Sequence, residues 1–291
     1  MEYENISWGF LGRVISETFY QFFALFGFIL LFGIILYFIS RFTRNVFRNS
    51  DQLKLDIYLT GWIGTPVHEL GHAFFCLIFG HRINEIKLFS PNSDDGTLGY
   101  IRHSYNKKSI YQRIGFFFIG AGPILFGSIV LYGLLYAFLP NYQEITGMLP
   151  SVNFTNSGIT DWMKNTGNLF SAGMDLMIHV FKAENFIQLS FWIFLYLSFC
   201  ISSHMQLSPP DLKSMFSGLI SILLILLVIN LLIMFLGYDF TVYVVKISRF
   251  IGRFLGIFIV AIILSLINFI TTYIVLAIFY YLKYRRLLSV L

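Results

Sequence analysis

Polar and apolar positions fall along this chain in long blocks rather than in short alternations. Apolar runs close to the 20 or so residues that a helix needs to cross a hydrocarbon layer occupy residues 20–40, 57–80, 110–139, 187–206, 213–237 and 250–282. The pattern predicts an all-α membrane protein of about six transmembrane helices, built as a single polytopic membrane domain over residues 1–291. Several runs exceed the minimum length, which permits tilt without fixing an angle.

Two stretches depart from the block pattern. In residues 83–103, Ile86 and Leu88 alternate with polar neighbours, Pro91 to Gly96 is turn-forming, and Leu98 and Tyr100 alternate beyond it. This predicts a short membrane-associated β-hairpin after the second helix. Extended backbone beside a bundle is tolerated only where protein or a water-filled cavity satisfies its polar groups. The hairpin is therefore expected at the rim of a site, where it could bind an extended substrate. The second departure is the polar loop 140–186, in which Phe170, Met174, Met177 and Phe181 recur at helical spacing. An amphipathic helix is expected there, lying in the membrane interface or packed on the bundle.

Composition sharpens the class. Hydrophobic residues make up 57% and charged residues 12%, with a mean hydropathy of +0.73, which excludes an ordinary soluble domain. The net charge of +5 comes from Lys and Arg scattered in loops and at the ends of apolar runs. That distribution anchors a chain in a lipid bilayer and predicts no nucleic-acid partner. Cys76 and Cys200 both lie in apolar runs, where a thiol acts as a small hydrophobe, so no disulfide framework is expected. Near the N-terminus, Glu2, Glu4 and Glu17 stand against Arg13, unlike the basic start of a cleaved signal peptide.

The chemistry concentrates in the second apolar run, where His68, Glu69 and His72 form an H-E-x-x-H pentapeptide. Residues four apart on a helix point the same way, so both imidazoles can face one metal ion with Glu69 beside them. Each such side chain costs about 2.5–3.5 kcal/mol at a bilayer centre on insertion scales, which calls for a compensating partner such as Zn²⁺. A catalytic zinc site uses three protein ligands and leaves a position for water. The third ligand is expected to be Asp211, which follows Pro209 and Pro210 where the fourth run gives way to the fifth, with His204 as the alternative. Charge favours Asp211: Zn²⁺ with ionised Asp211 and Glu69 sums to zero, whereas a third imidazole leaves a net positive charge in low dielectric. Glu69, adjacent to a ligand, is placed to be the catalytic general base.

These residues point to an intramembrane zinc metalloprotease that hydrolyses a peptide bond in or near a transmembrane segment of a membrane protein or membrane-associated peptide. The alternative is a non-enzymatic membrane metal transporter or metal-dependent binding protein. A transport path should carry further ligands along it, yet Glu69 is the only acidic residue deep in an apolar run. His81 and His103 fall in or beside the hairpin and are expected to be interfacial. Asn230 and Asn268 suit hydrogen bonding between helices. Gly120 and Gly122 allow close helix approach, and Pro123 opens backbone carbonyls to other partners.

With these residues in view, the chain resembles the site-2 protease family of intramembrane zinc metalloproteases. The resemblance rests on Thr65-Pro66-Val67-His68-Glu69-Leu70-Gly71-His72, on Gly120-Ala121-Gly122-Pro123, and on Asp211, and it covers residues 57–237 as a metalloprotease core. It implies one zinc ion held by His68, His72 and Asp211, with Glu69 as base and the hairpin 83–103 lining substrate entry. The chain departs from the family around the third ligand, where Ser208-Pro209-Pro210-Asp211-Leu212-Lys213 replaces the usual Asn-Pro-Asp-Gly or Leu-Asp-Gly run. It also lacks the Asn common in the family's third-span motif.

Overall fold

A computed structural model of the chain describes the backbone of residues 2–92, 97–148 and 159–290, and their side chains except at 2–8, 159, 253 and 254. The elements in order are α1 (Glu2–Asn49), α2 (Leu53–Asp56), a π-helical turn (Ile57–Gly61) leading into α3 (Trp62–Ile78), strands β1 (Arg82–Lys87) and β2 (Tyr100–Ser104), then α4 (Ile110–Gly120), α5 (Gly122–Phe138), α6 (Tyr142–Gly147), α7 (Ile159–Val180), α8 (Ala183–Phe186), α9 (Leu189–His204), α10 (Pro209–Phe235) and α11 (Thr241–Tyr284).

Among the described residues, three helical stretches are long and apolar enough to cross a membrane: Gly9–Asn49 of α1, all of α10, and Leu255–Tyr284 of α11. The pair α4 and α5, bent by 60° at its break, makes a fourth if it counts as one span. This corrects the expectation of six. Helix α9 has 16 residues, about 24 Å at 1.5 Å per residue and short of a hydrocarbon layer of about 30 Å. Helix α3 has 17, and the π turn and α2 carry it back to Leu53. The end of α3 is built into its sequence. Gly80 takes a left-handed φ of 66°, and the N–H groups of His81 and Gly80 cap the carbonyls of Cys76 and Leu77 at 2.8 and 3.2 Å, the hydrogen-bond pattern that closes a helix on glycine.

Helix α10 is apolar all round, and packing divides it into two faces. Met215, Leu219, Ile222 and Leu226 are buried in the main hydrophobic cluster, while Phe216, Ile220, Leu224, Val228 and Leu232 form an exposed stripe at four-residue spacing. At its far end Asn230 ties α10 to α1, donating to Thr18 Oγ1 at 3.0 Å and Gln21 Oε1 at 2.8 Å. Gln21 in turn donates to Asn230 Oδ1 and Thr241 Oγ1, each at 3.0 Å. Asn230 thus bonds between helices as its sequence position suggested. A satisfied polar cluster of this kind fixes helix register in an otherwise featureless apolar interface.

The hairpin pairs β1 with β2 antiparallel, from Arg82 opposite Ser104 to Lys87 opposite Tyr100, with an irregularity between Ile83 and Glu85 that leaves Asn84 as an extra residue. Its turn at Asp94, Asp95 and Gly96 lies outside the described residues. In the polar loop, α7 docks through Trp162, stacked on Phe28 of α1 at 4.1 Å, and through buried Leu169, Leu176, Met177 and Val180. The apolar face expected from spacing is only half right. Met177 packs inward and Phe181 packs against the same cluster, whereas Phe170 and Met174 join Met163 and Ile178 on an exposed apolar side.

Candidate metal centre

Helical spacing sets the two imidazoles of α3 side by side, with His68 Nε2 3.2 Å from His72 Nε2. Both Nδ1 atoms are already committed. His68 Nδ1 donates to the carbonyl of His204 and His72 Nδ1 to the carbonyl of Ile119, each at 2.7 Å. Each carbonyl is available for a local reason. His204 is the last residue of α9, where terminal carbonyls lack intrahelical partners. Ile119 stands four residues before Pro123, which has no N–H to give it. A proton on Nδ1 leaves a lone pair on each Nε2, so two acceptor atoms face each other across 3.2 Å with no hydrogen to share. That arrangement is unfavourable alone and natural around a cation, and it is how metal-binding histidines are ordinarily oriented from behind.

Asp211 completes the cluster. Its Oδ1 lies 3.2 Å from His72 Nε2 and its Oδ2 3.7 Å from His68 Nε2. The sequence Ser208-Pro209-Pro210-Asp211 explains how the carboxylate arrives there. Ser208 caps α10 by accepting from the Asp211 N–H, and Asp211 Oδ2 accepts from the Ser208 N–H at 2.7 Å and hydroxyl at 2.6 Å. The prolines fill the first two helical positions, where a missing N–H costs nothing. Oδ2 is thereby anchored, and Oδ1 remains directed at His72.

Glycines bring these three elements together. A side chain on Gly71 would meet the Gly122 carbonyl at 2.6 Å, and one on Gly122 would meet the Gly71 carbonyl at 2.7 Å, so α3 and α5 touch backbone to backbone. A side chain on Gly120 would meet the Asp211 carbonyl at 2.6 Å. The Gly120-Ala121-Gly122-Pro123 segment thus packs the histidine helix on one side and the aspartate helix on the other.

His68, His72 and Asp211 form the one metal-capable group among the described residues, with ligand atoms all within 4.8 Å of one another. Ligands about 2.0–2.1 Å from a tetrahedral zinc ion are about 3.3 Å apart, which the 3.2 Å from His72 Nε2 to His68 Nε2 and the 3.2 Å from His72 Nε2 to Asp211 Oδ1 match. The donor set of two imidazoles and one carboxylate also suits zinc. His204 does not join it. The ring bonds through Nδ1 to the Cys200 carbonyl and to Ser203, and it is the main-chain oxygen of His204 that serves the site. Cys76 and Cys200 are free thiols, fully buried.

Glu69 is buried beside the cluster and borders two cavities. One, of about 450 Å³, runs past His68, His72 and Asp211 to Tyr100, Ile101 and His103 of β2. The other, of about 500 Å³, runs past His68 and Thr65 to Tyr37, Arg41, Arg44 and Arg48 of α1. Gly99 separates the hairpin from the floor of the site: a side chain there would lie 2.8 Å from Glu69 Cγ and 2.9 Å from Thr65.

The hairpin is pinned by a histidine pair. His81 Nε2 donates to the Gln112 carbonyl at 2.8 Å, so its Nδ1 accepts from His103 Nδ1 at 3.0 Å. The His81 ring stacks on Tyr105 and meets Phe116 edge-on. Burial holds both imidazoles below the ordinary value of 6.5, and the nearness of His81 lowers His103 further. A depressed folded value means that the unfolded segment binds more protons. The contribution of the pair is therefore complete above pH 6.5 and is lost as pH falls from there through the lowered values. Hydrogen exchange in β1 and β2, corrected for its intrinsic pH dependence, is expected to accelerate below about pH 6. A flat profile down to pH 4.5 would show that the pair does not hold the hairpin.

Of the sequence-predicted site residues, His68, Glu69, His72 and Asp211 are brought together, and the hairpin lies beside them. The carbonyl of Ile119, the capping hydroxyl of Ser208 and the three arginines went unrecognised in sequence. Only the arginines left a signal, in their spacing of three and four. Compared with known proteins, the chain matches no family model, no curated protein and no solved structure.

Proposed function

We propose that this chain is a multi-pass intramembrane zinc metalloendopeptidase of the site-2 protease type, cleaving a peptide bond in or near a membrane-spanning segment. The observation that carries the reading is the convergence of two imidazole Nε2 atoms and a carboxylate oxygen, with Glu69 next to them at the mouth of two cavities.

Zinc held there would lower the pKa of a coordinated water to about 7 and polarise a carbonyl. Glu69 takes a proton from the attacking water onto its carboxylate and later hands it to the leaving amine nitrogen, so that the acid is regenerated as a base. His68 and His72 stay neutral and are held by the His204 and Ile119 carbonyls. Ser208 keeps Asp211 from rotating. A helical substrate hides its amides in its own hydrogen bonds and has to unwind first. Strand β2 lines the cavity and, among the described residues, pairs with β1 in a two-stranded sheet, so its other edge can give the unwound segment replacement pairing.

The exposed apolar stripes of α7 and α10 support a lipid-embedded chain. The alternative, a non-enzymatic metal transporter or metal-dependent binding protein, would use the same three ligands without Glu69. The test is metal removal. Purified protein is expected to carry a single zinc ion per chain, to stop cleaving a reporter transmembrane segment when a chelator strips it, and to resume when zinc is restored. Activity untouched by complete metal loss would overturn the reading. Zinc flux into proteoliposomes that survives Glu69→Ala would select the transporter.

A further inference from the structure

The arginine-lined cavity is unexplained by peptide hydrolysis as such. Arg41, Arg44 and Arg48 fall at intervals of three and four on α1 and line one wall, together with Tyr37 and Asn45. Arg41 donates to the Tyr37 hydroxyl at 3.3 Å. Among the described residues none of the three arginines is ion-paired, and the only carboxylate bordering the cavity is Glu69. Thr65 and His204 also border the cavity, and each has a polar atom without a hydrogen-bond partner, Thr65 Oγ1 and His204 Nε2, closed off beneath its surface. Both residues are more than nine-tenths buried, at 5% and 6% exposure.

Arginines that merely anchor a helix in a membrane extend outward to headgroups. These three also line a cavity of about 500 Å³ that continues to His68 and Glu69, with Arg41 and Arg48 exposed at its mouth and Arg44 half-buried. Guanidinium groups match carboxylates in shape and charge.

Resting on the peptidase reading above, we propose that this cavity is a substrate subsite for a carboxylate, carried on one side of the scissile bond as an Asp or Glu side chain or as a free C-terminus. The subsite makes the protein selective for acidic substrate segments. It borders α1 and meets the cavity along β2 at His68 and Glu69, so an extended substrate engages both at once.

The test uses the full-length, zinc-loaded Glu69→Gln protein, which binds without turnover, and fluorescent eight-residue Ala/Thr peptides that carry either two Asp or two Asn at one end. The Asp peptide is expected to bind about tenfold more tightly at low salt and to lose that advantage as ionic strength rises. Replacing Arg41, Arg44 and Arg48 together with Gln is expected to equalise the two peptides, and replacing them with Lys to retain most of the preference. If the triple Gln variant fails to hold zinc, Arg44→Gln alone and the salt dependence decide. Amidating the C-terminus separates the two sources, since only terminal recognition is lost by it.

Equal affinity for Asp and Asn peptides, or a preference that survives the Gln variants, overturns the proposal. So does an arginine dependence seen only with phosphatidylglycerol nanodiscs and not with peptides, which would assign the wall to lipid headgroups. Binding to the Glu69→Gln protein requires no catalysis. An acidic preference in a chain that cleaves nothing would leave this inference standing while the peptidase reading failed, and cleavage without the preference would do the reverse.

Discussion

Glu69→Gln is expected to abolish cleavage while leaving the metal in place. The substitution keeps the side chain's size and its position under Gly99, and it removes only the ability to accept a proton from water. General-base catalysis contributes about 10²–10⁴-fold, which corresponds to about 3–5 kcal/mol of barrier, so kcat for a reporter segment should fall by that factor with KM little changed. Zinc content should match wild type, because His68, His72 and Asp211 and the groups behind them are untouched. The measurement pairs metal analysis with single-turnover cleavage. Zinc-loaded Glu69→Gln protein with undiminished kcat would end the assignment of Glu69 as base.

The second large effect is expected at a position that carries no side chain. Gly122→Ala adds one methyl group where the Gly71 carbonyl is 2.7 Å away and the His72 amide 3.1 Å away. The contacted atoms are backbone and cannot swing aside, so α3 and α5 must separate. Overpacking of this kind costs about 1–3 kcal/mol. The displaced helix also draws His72 away from the Ile119 carbonyl, and loss of such a supporting hydrogen bond typically weakens metal affinity by about 10–100-fold. Gly133→Ala on the same helix is the control, since a side chain there meets nothing within 4 Å. Zinc titration should separate the two variants clearly. Equal affinities would show that the glycine contact does not position the ligands.

Local rules explain what was legible in sequence. His68 and His72 share a face because four residues make roughly one helical turn, whatever surrounds them. Asp211 is legible because Pro209 and Pro210 break the chain where the fourth apolar run gives way to the fifth, and because its charge balances a dication beside Glu69. The hairpin is legible from alternation bounded by turn residues. The number of crossings is not, because apolar composition measures solvent preference and not helix length. Trp62 and Ile78 bound α3 through a π turn and a glycine cap inside a longer apolar run, while α1 extends through Arg41, Arg44 and Arg48, beyond the apolar run that forms its middle. The expected stripe Phe170, Met174, Met177, Phe181 failed in part for a related reason. Both sides of α7 carry apolar residues, and only the neighbouring helices decide which side is covered. The carbonyls of Ile119 and His204 were out of reach altogether, since their partners lie 47 and 136 residues away in the chain.

The meeting of two cavities at Glu69 has a consequence for how the proposed hydrolase would obtain its second reactant. One is walled by guanidinium groups and the other by the hairpin, so moisture can be admitted from either side to the depth where the scissile amide would rest, and the oily surroundings need supply none.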